Sequence, residues 1–337
     1  MSSWSKIFII GGLFFLVIAF SYFFYLLGPA QEEGSARSIS IGAGAGVAEI
    51  AEILGRENLL RSQAVFKIYS FFSGRAHLLK PGHYLFSANL SAPEIVGRLT
   101  QGPPDTEVLI TEGESLKDAD TKLSSLGLIQ PGAFLNFPAA QLKTAYPFLG
   151  SAKTLEGFLF PDTYRLAPDS SVEAIAKKFL DNFDNKVLEF KGLSANQIGK
   201  SFYERLILAS LLEKEVPFSE DRRLVAGILE KRLKIGMPLQ VDATVVYVSC
   251  GGRFSDCPAL TKNDYGIKSS YNTYYARGLP PGPIANPGLD AILAALNPQS
   301  SPFLYYLSDP KTQKTVFAKT LEEHNINRAR YLPRYKP

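Results

Sequence analysis

The sequence predicts an α+β protein with an N-terminal transmembrane helix, small β/α modules, and a mixed α/β domain organised on one buried helix. Three observations predict it. Residues 7–27 carry no charge and are almost wholly apolar. Sliding the chain by 69 positions superposes Gly44 on Gly113, Val47 on Leu116, Leu54 on Leu123, Leu59-Leu60 on Leu128-Ile129 and Ala64 on Ala133. The stretch Leu206-Ile-Leu-Ala-Ser-Leu-Leu-Glu-Lys-Glu215 is apolar on nearly every side until two glutamates arrive in its last turn, before Val216-Pro217.

The first stretch is long enough to cross a membrane. Twenty-one residues at about 1.5 Å each span the roughly 30 Å hydrocarbon layer. A cleaved signal peptide is the rival, but the apolar run exceeds a usual h-region and Leu27-Gly-Pro-Ala-Gln31 is a poor cleavage site. Lys6 precedes the run and Glu32-Glu33 follow it. The positive-inside bias then leaves a short cytoplasmic tail within residues 1–28 and exports the rest. Residues 29–38, with Pro, Gln, Glu, Gly, Ser and Arg among them, read as a polar tether.

Two related units follow, at 39–105 and 106–150. Each reads as strand, turn, short helix, a Leu-Leu or Leu-Ile corner and a second helix, too few copies for a solenoid. In the first, Ser38–Ile41 is a strand and Val47–Leu54 a helix. Gly42-Ala-Gly-Ala-Gly46 between them lacks dinucleotide-binding spacing and is a tight turn. Lys80–Phe86 returns as a strand. Ser91-Ala-Pro-Glu94 is a capping box opening a helix, and Gly102-Pro-Pro104 marks the seam.

From 151 to 337 the texture changes to the larger domain. Glu156–Tyr164 is an aromatic turn, Ser171–Phe183 an amphipathic helix, and the central helix runs from about Ala195 to Glu215. Pro217 ends it. A helix opens at Ser219 with Glu220 and Asp221 in its first turn and stops before Gly236. Leu239–Tyr247 fits strand or helix. Cys250 and Cys257 bracket a loop, and Gly278–Gly288, rich in Gly and Pro, is rigid and extended. Asp290–Leu296 reads as a helix, and Phe303–Leu307 with Thr315–Phe317 as a terminal hairpin.

Composition narrows the function. A net charge of +4 without a basic, aromatic-interleaved block argues against nucleic acid. Three histidines and two cysteines lack metal-ligand spacing, so neither a metal nor another cofactor is expected. No nucleophile elbow, P-loop or zincin helix is present. What remains is acid chemistry at a helix end. At about 100° per residue, Glu213 and Glu215 are about 200° apart, so one cleft can hardly use both. Gln240, Asp242, Tyr271, Asn272, Tyr274 and Asn286 are the residue types that bind carbohydrate, since rings stack on sugars while amides and carboxylates take hydroxyls. Each is also a common turn residue.

Four segments in order carry a resemblance: Glu156-Gly-Phe-Leu-Phe-Pro-Asp-Thr-Tyr164, Leu208-Ala-Ser-Leu-Leu-Glu-Lys-Glu215, Leu239-Gln-Val-Asp242, and Tyr271-Asn-Thr-Tyr274 with Gly278-Leu-Pro-Pro-Gly282. Together they resemble the endolytic murein transglycosylases, the YceG-like family, over nearly the whole chain. The resemblance implies a LysM-like module at about 39–105 and a single-pass protein of the bacterial inner membrane with its catalytic domain in the periplasm. Its substrate would be nascent peptidoglycan strands, with peptidoglycan synthases as candidate partners. It would cut between N-acetylmuramic acid and N-acetylglucosamine, leaving a 1,6-anhydro end and terminating the strand. The loop between Cys250 and Cys257 lies outside the family pattern. In an oxidising compartment the two cysteines can staple it, by about 2.5 kcal/mol at most in the chain-entropy model.

That reaction suits one acid. A hydrolase needs a second carboxylate. Here the muramic 6-hydroxyl is the nucleophile, and one glutamate both donates and recovers the proton. The resemblance places that role on Glu215, and burial at a helix C-terminus would keep it protonated. Glu213 would order the site or bind substrate. The alternatives are a non-catalytic wall-binding scaffold and a two-carboxylate muramidase pairing Glu215 with Asp242 or Asp162. If 7–27 is an uncleaved anchor, the mature protein keeps residue 1 and resists carbonate extraction; a soluble form starting near residue 30 rejects it.

Overall fold

The computed structural model describes residues 3–42, 44–168, 170–189, 200–312 and 314–332. The expected start of the central helix near Ala195 lies outside them. The chain divides into two compact units, Met1–Thr106 with Ala167–Asp169 and Glu107–Leu166 with Ser170–Pro337.

In the first unit, helix α1 (Ser3–Leu27) leads into strand β1 (Ala36–Ile41). Helices α2 (Val47–Arg56) and α3 (Gln63–Phe72) follow, then strand β2 (Gly82–Ser87) and helix α4 (Ala92–Gln101). β1 and β2 pair antiparallel, with Ile39 opposite Tyr84 and Ile41 opposite Gly82. Alternation puts Ile39, Ile41, Tyr84 and Phe86 on the buried face, against Ile50, Leu54, Phe66, Ile95 and Leu99 from the helices. The capping box of α4 forms as its sequence requires: the Ser91 hydroxyl accepts from Glu94 N–H, and the Glu94 carboxylate accepts from Ser91 N–H. The stretch between α1 and β1 is hydrogen-bonded to the end of β2 and the residue after it. Gln31 N–H donates to the Ala88 carbonyl at 3.0 Å, and the Ser87 hydroxyl to the Gly34 carbonyl at 2.7 Å. Leu27, at the end of α1, is buried in the core of this unit.

The second unit holds β3 (Thr106–Ile110), α5 (Leu116–Ser125), β4 (Asp162–Leu166) and α6 (Val172–Phe183). Then come α7 (Lys200–Glu215), α8 (Ser219–Lys234), α9 (Asp242–Ser249) and α10 (Leu289–Leu296). The chain ends with β5 (Tyr305–Ser308), β6 (Thr315–Ala318) and α11 (Leu321–Tyr331). β3 pairs with β4 and β5 with β6. Residues 106–150 and the remainder share one core, in which Phe134, Phe148, Phe158, Phe179 and Phe183 meet the apolar faces of α6 and α7.

The 69-residue echo is visible in the backbone. Gly44 and Gly113 both take a left-handed conformation, at φ +83° and +77°. So do Asn58 and Gly127, 69 positions apart, at +54° and +71°. The echo fails at the second helix. Where the first copy forms α3, the second forms a run of turns over 131–136. Pro131 and Gly132 disfavour helix there. The carboxylate of Asp120 instead gathers three free backbone N–H groups, from Gly132 at 2.7 Å, Phe134 at 2.9 Å and Leu135 at 3.3 Å.

Asp120→Ala therefore strands buried donors and removes charge-assisted bonds, and should cost about 2–4 kcal/mol. Urea unfolding of the detergent-solubilised chain, with Asp120→Asn as the milder comparison, measures this.

Candidate active site

The last turn of α7 distributes three consecutive residues to three different neighbours, as 100° steps require. Glu213, its side chain only 5 % exposed, accepts from Arg222 Nη2 at 2.9 Å and from the Gly288 N–H at 2.9 Å. Arg222 also donates to the Val216 carbonyl at 3.1 Å and to Asp290 at 3.2 Å. Glu213 thus ties α7 to α8 and caps the start of α10. Burial pushes its carboxyl upward, while Gly288 and Arg222 pull it back. Lys214 donates to the Gly113 carbonyl at 3.1 Å and lies 4.1 Å over the Phe254 ring. It borders a cleft lined by Thr111, Glu112, Glu114, Lys122 and Phe254, of which Glu215 is not a wall.

Glu215 stands apart. It is half-buried, and among the described residues its carboxyl makes no hydrogen bond or ion pair. Burial pushes its pKa up to about 8, the negative charge of Asp242 adds to the shift, and Arg232 opposes it. The acid is therefore held protonated near neutrality.

Its surroundings come from four segments. Asp242 opens α9 and accepts from the Tyr274 hydroxyl at 2.6 Å. The stretch before it is clipped to 273–274: Gln240 N–H meets the Thr273 carbonyl at 3.3 Å, and Val241 N–H meets Thr273 Oγ1 at 2.9 Å. Gln240 holds a left-handed backbone, φ +53°, unusual for a residue with a side chain. That side chain is exposed and, among the described residues, makes no hydrogen bond. Arg232 of α8 is buried and fixed by the Leu304 and Leu239 carbonyls, both at 2.7 Å. Its guanidinium lies 5.3 Å from the Tyr305 ring centre. Burial and the charge of Glu215 raise the Tyr306 hydroxyl well above its ordinary value.

A second acid lies deeper. Glu156 accepts from Leu116 N–H at 2.8 Å and from the Tyr247 hydroxyl at 3.2 Å. Burial pushes it up to about 8 against both bonds. Tyr247 packs on Tyr271 with ring centres 5.2 Å apart. Gly157 beside it takes φ +89°, and a Cβ there would come within 2.6 Å of Pro283, so only glycine admits the 278–288 segment.

The structure thus brings Asp242 and Tyr274 to the Glu215 side, with Gln240 two positions before Asp242, and leaves Tyr271 half-buried on Tyr247. Glu213, Asn272 and Asn286 are each engaged in hydrogen bonds within the protein. Asn272 spends its amide on the Tyr265 and Ile267 carbonyls and the Tyr274 N–H. Asn286 spends its own on Gly157, Leu159 and Glu114. Both are fully buried. Asp162 bonds Asn182 and pairs with Lys186, a separate cluster. Cys250 and Cys257 form a disulfide. The loop it closes is docked by Asp118, which accepts from Phe254 N–H at 3.1 Å and Ser255 N–H at 3.2 Å. Arg232, Tyr306 and Glu156 were not singled out from sequence; only Glu156, heading its aromatic segment, had a signal there.

The end of α7 thus carries an acid held protonated, flanked by a tyrosine-bonded carboxylate and a fixed arginine. Comparison with known proteins then identifies the lineage. The YceG-like family profile matches residues 39–330. An endolytic murein transglycosylase of Bacillus subtilis is 34 % identical over 346 residues, covering 96 % of this chain and 91 % of that one. A protein of the same name from Streptococcus pneumoniae is 29 % identical over 97 % of this chain, which spans 65 % of its length. The crystal structure of a yceG-like protein from Listeria monocytogenes superposes with a TM-score of 0.59 at 30 % identity, over 87 % of this chain and 99 % of that one. The chain belongs to the YceG-like family.

The raised acids fix a pH dependence. A carboxyl whose folded pKa of about 8 exceeds the ordinary value of 4.5 makes the folded state bind more protons than the unfolded one between those limits. Stability therefore falls as pH rises from about 4.5 to 8. Glu215→Gln, which cannot ionise, should flatten part of that slope and melt higher than the parent at pH 8. Melting temperatures of both proteins across the interval measure it; an unchanged slope contradicts the assignment.

Proposed function

We propose that the chain is an endolytic lytic transglycosylase of peptidoglycan, with Glu215 as its single general acid and base. The observation that carries this reading is the Glu215 carboxyl, without a hydrogen-bond partner among the described residues and held near pKa 8, beside relatives that bear the name endolytic murein transglycosylase. In the reaction, protonated Glu215 donates to the oxygen between N-acetylmuramic acid and N-acetylglucosamine, and that bond to C1 breaks. The muramic C6 hydroxyl closes on C1, and the Glu215 carboxylate recovers the hydroxyl proton. Arg232 favours the carboxylate stage and Asp242 the acid stage, so the group is poised for both transfers. The negative charge of Asp242 also suits the oxocarbenium-like transition state of glycosidic cleavage. Gln240, Tyr271 and Tyr274 supply amide and aromatic surface for the sugars.

The apolar stretch Ile10–Leu27 within α1 is long enough to cross a membrane. We infer that it anchors the chain in the inner membrane with the rest outside, where nascent strands are made and synthases would be neighbours. The strand–helix–helix–strand order β1-α2-α3-β2 supports a LysM-like module. Asp242 beside Glu215 also gives the two-carboxylate muramidase a specific basis, which the nature of the new sugar end decides.

Glu215→Gln should lower release of anhydro ends from isolated sacculi by about 10²–10⁴-fold while the protein stays folded. Glu213→Gln should mainly lower the melting temperature, because it breaks a buried ion pair and the cap on α10. A folded Glu213→Gln without activity beside an active Glu215→Gln would reverse the assignment.

A further inference from the structure

The first unit carries a surface that the glycan chemistry does not use. On α3, Val65, Phe66 and Ser70 are buried, while Ile68, Phe71 and Phe72 face outward. Phe71 and Phe72 are 72 % and 82 % exposed, as bare as Phe14 and Phe15 of α1 at 68 % and 71 %. Their rings meet edge to face at 5.7 Å, and Leu78 lies exposed a few residues on. Spacings of three and four place Ile68, Phe71 and Phe72 on one helical face. A soluble surface rarely leaves adjacent phenylalanines this open without a partner.

Two further observations name the partner. Residues 61–80 contain Arg61, Lys67, Arg75 and Lys80 and no acidic residue, and all four bases are exposed. Exposed aromatics among unopposed bases are the composition of segments that lie on anionic lipid. The unit is also fastened to the end of α1. Arg61 donates to the Tyr25 carbonyl at 2.9 Å and lies 4.2 Å over the Tyr25 ring. Leu27 is in the core, and Phe23 and Leu26 pack against it. Tyr22 and Tyr25 are residues of the kind that mark the membrane–water boundary. The basic stretch therefore begins at that boundary, held there by direct contact.

We propose that the outward face of α3, through Phe71 and Phe72 and flanked by Lys67 and Arg75, lies in the headgroup region of the anionic bilayer that α1 enters. It would fix the orientation of the first unit on the membrane. The proposal rests on α1 spanning the membrane.

The disulfide leaves no free thiol among the described residues, so single introduced cysteines report cleanly. Full-length Phe72→Cys, Glu52→Cys and Phe15→Cys variants, labelled with an environment-sensitive fluorophore, are reconstituted into vesicles of zwitterionic and anionic phospholipid. Lipids spin-labelled at shallow or deep positions serve as quenchers. The Phe72 label should shift to the blue and be quenched by the shallow probe, the Glu52 label by neither probe, and the Phe15 label by the deep probe. Adding Lys67→Glu and Arg75→Glu should reduce the Phe72 quenching. A deeply quenched Phe15 with an unquenched Phe72 overturns the docking but leaves the anchor intact. An unquenched Phe15 overturns both. A Phe72 shift that grows with protein density instead of lipid charge overturns it in favour of contact between two copies, and equal quenching at Phe72 and Glu52 overturns it as unspecific adsorption.

Discussion

A half-buried carboxyl to which the described residues offer no hydrogen-bond donor prefers its proton, and the site proposed in the second unit depends on that preference at Glu215. The acid sits where α7 stops, because Pro217 cannot continue the helix. Its position depends on the two residues before it having other work. Glu213 is locked to Arg222 and Gly288, and Lys214 to the Gly113 carbonyl and the Phe254 ring. The helix end can neither rotate nor fray without breaking those ties. Had Glu213 and Glu215 shared a face, mutual repulsion and a shared proton would have replaced the single poised acid.

Much of this was legible in the sequence where the determinants are local. Ser91 with Glu94 and Ser171 before α6 specify helix starts through their own backbone bonds, and Gly236 marks a helix end through its φ of +68°. The opposed directions of Glu213 and Glu215 follow from helix geometry alone. Residues 239–247 were undecidable because Val and Thr suit a strand, while the segment is buried on several sides. The structure forms α9, with Ala243, Thr244 and Val245 buried, a choice made by tertiary packing. α11 was missed because it buries none of its residues and shows no apolar stripe.

Of the proposed site, the acid at the helix end was legible and its supports less so. Asn272 and Asn286 have the chemistry of sugar ligands, and composition cannot tell an amide offered to solvent from one consumed by three backbone groups. Glu156, Tyr247 and Arg232 gain their meaning from contacts across 40 to 91 positions or from neighbours on other helices. One sequence without relatives holds no trace of such distances. The internal echo misled where Asp120 collects the N–H groups of Gly132, Phe134 and Leu135 in place of a helix.

Two nucleophiles can attack the anomeric carbon: the sugar's own hydroxyl, as one acid permits, or water activated by a second carboxylate such as Asp242. Cleavage of glycan strands in water enriched in ¹⁸O, followed by mass analysis of the new muramic ends, addresses this directly. The single-acid account predicts ends lighter by one water than a hydrolysis product and free of ¹⁸O. Reducing ends that carry one ¹⁸O per bond cut would contradict it and make Asp242 the partner of Glu215.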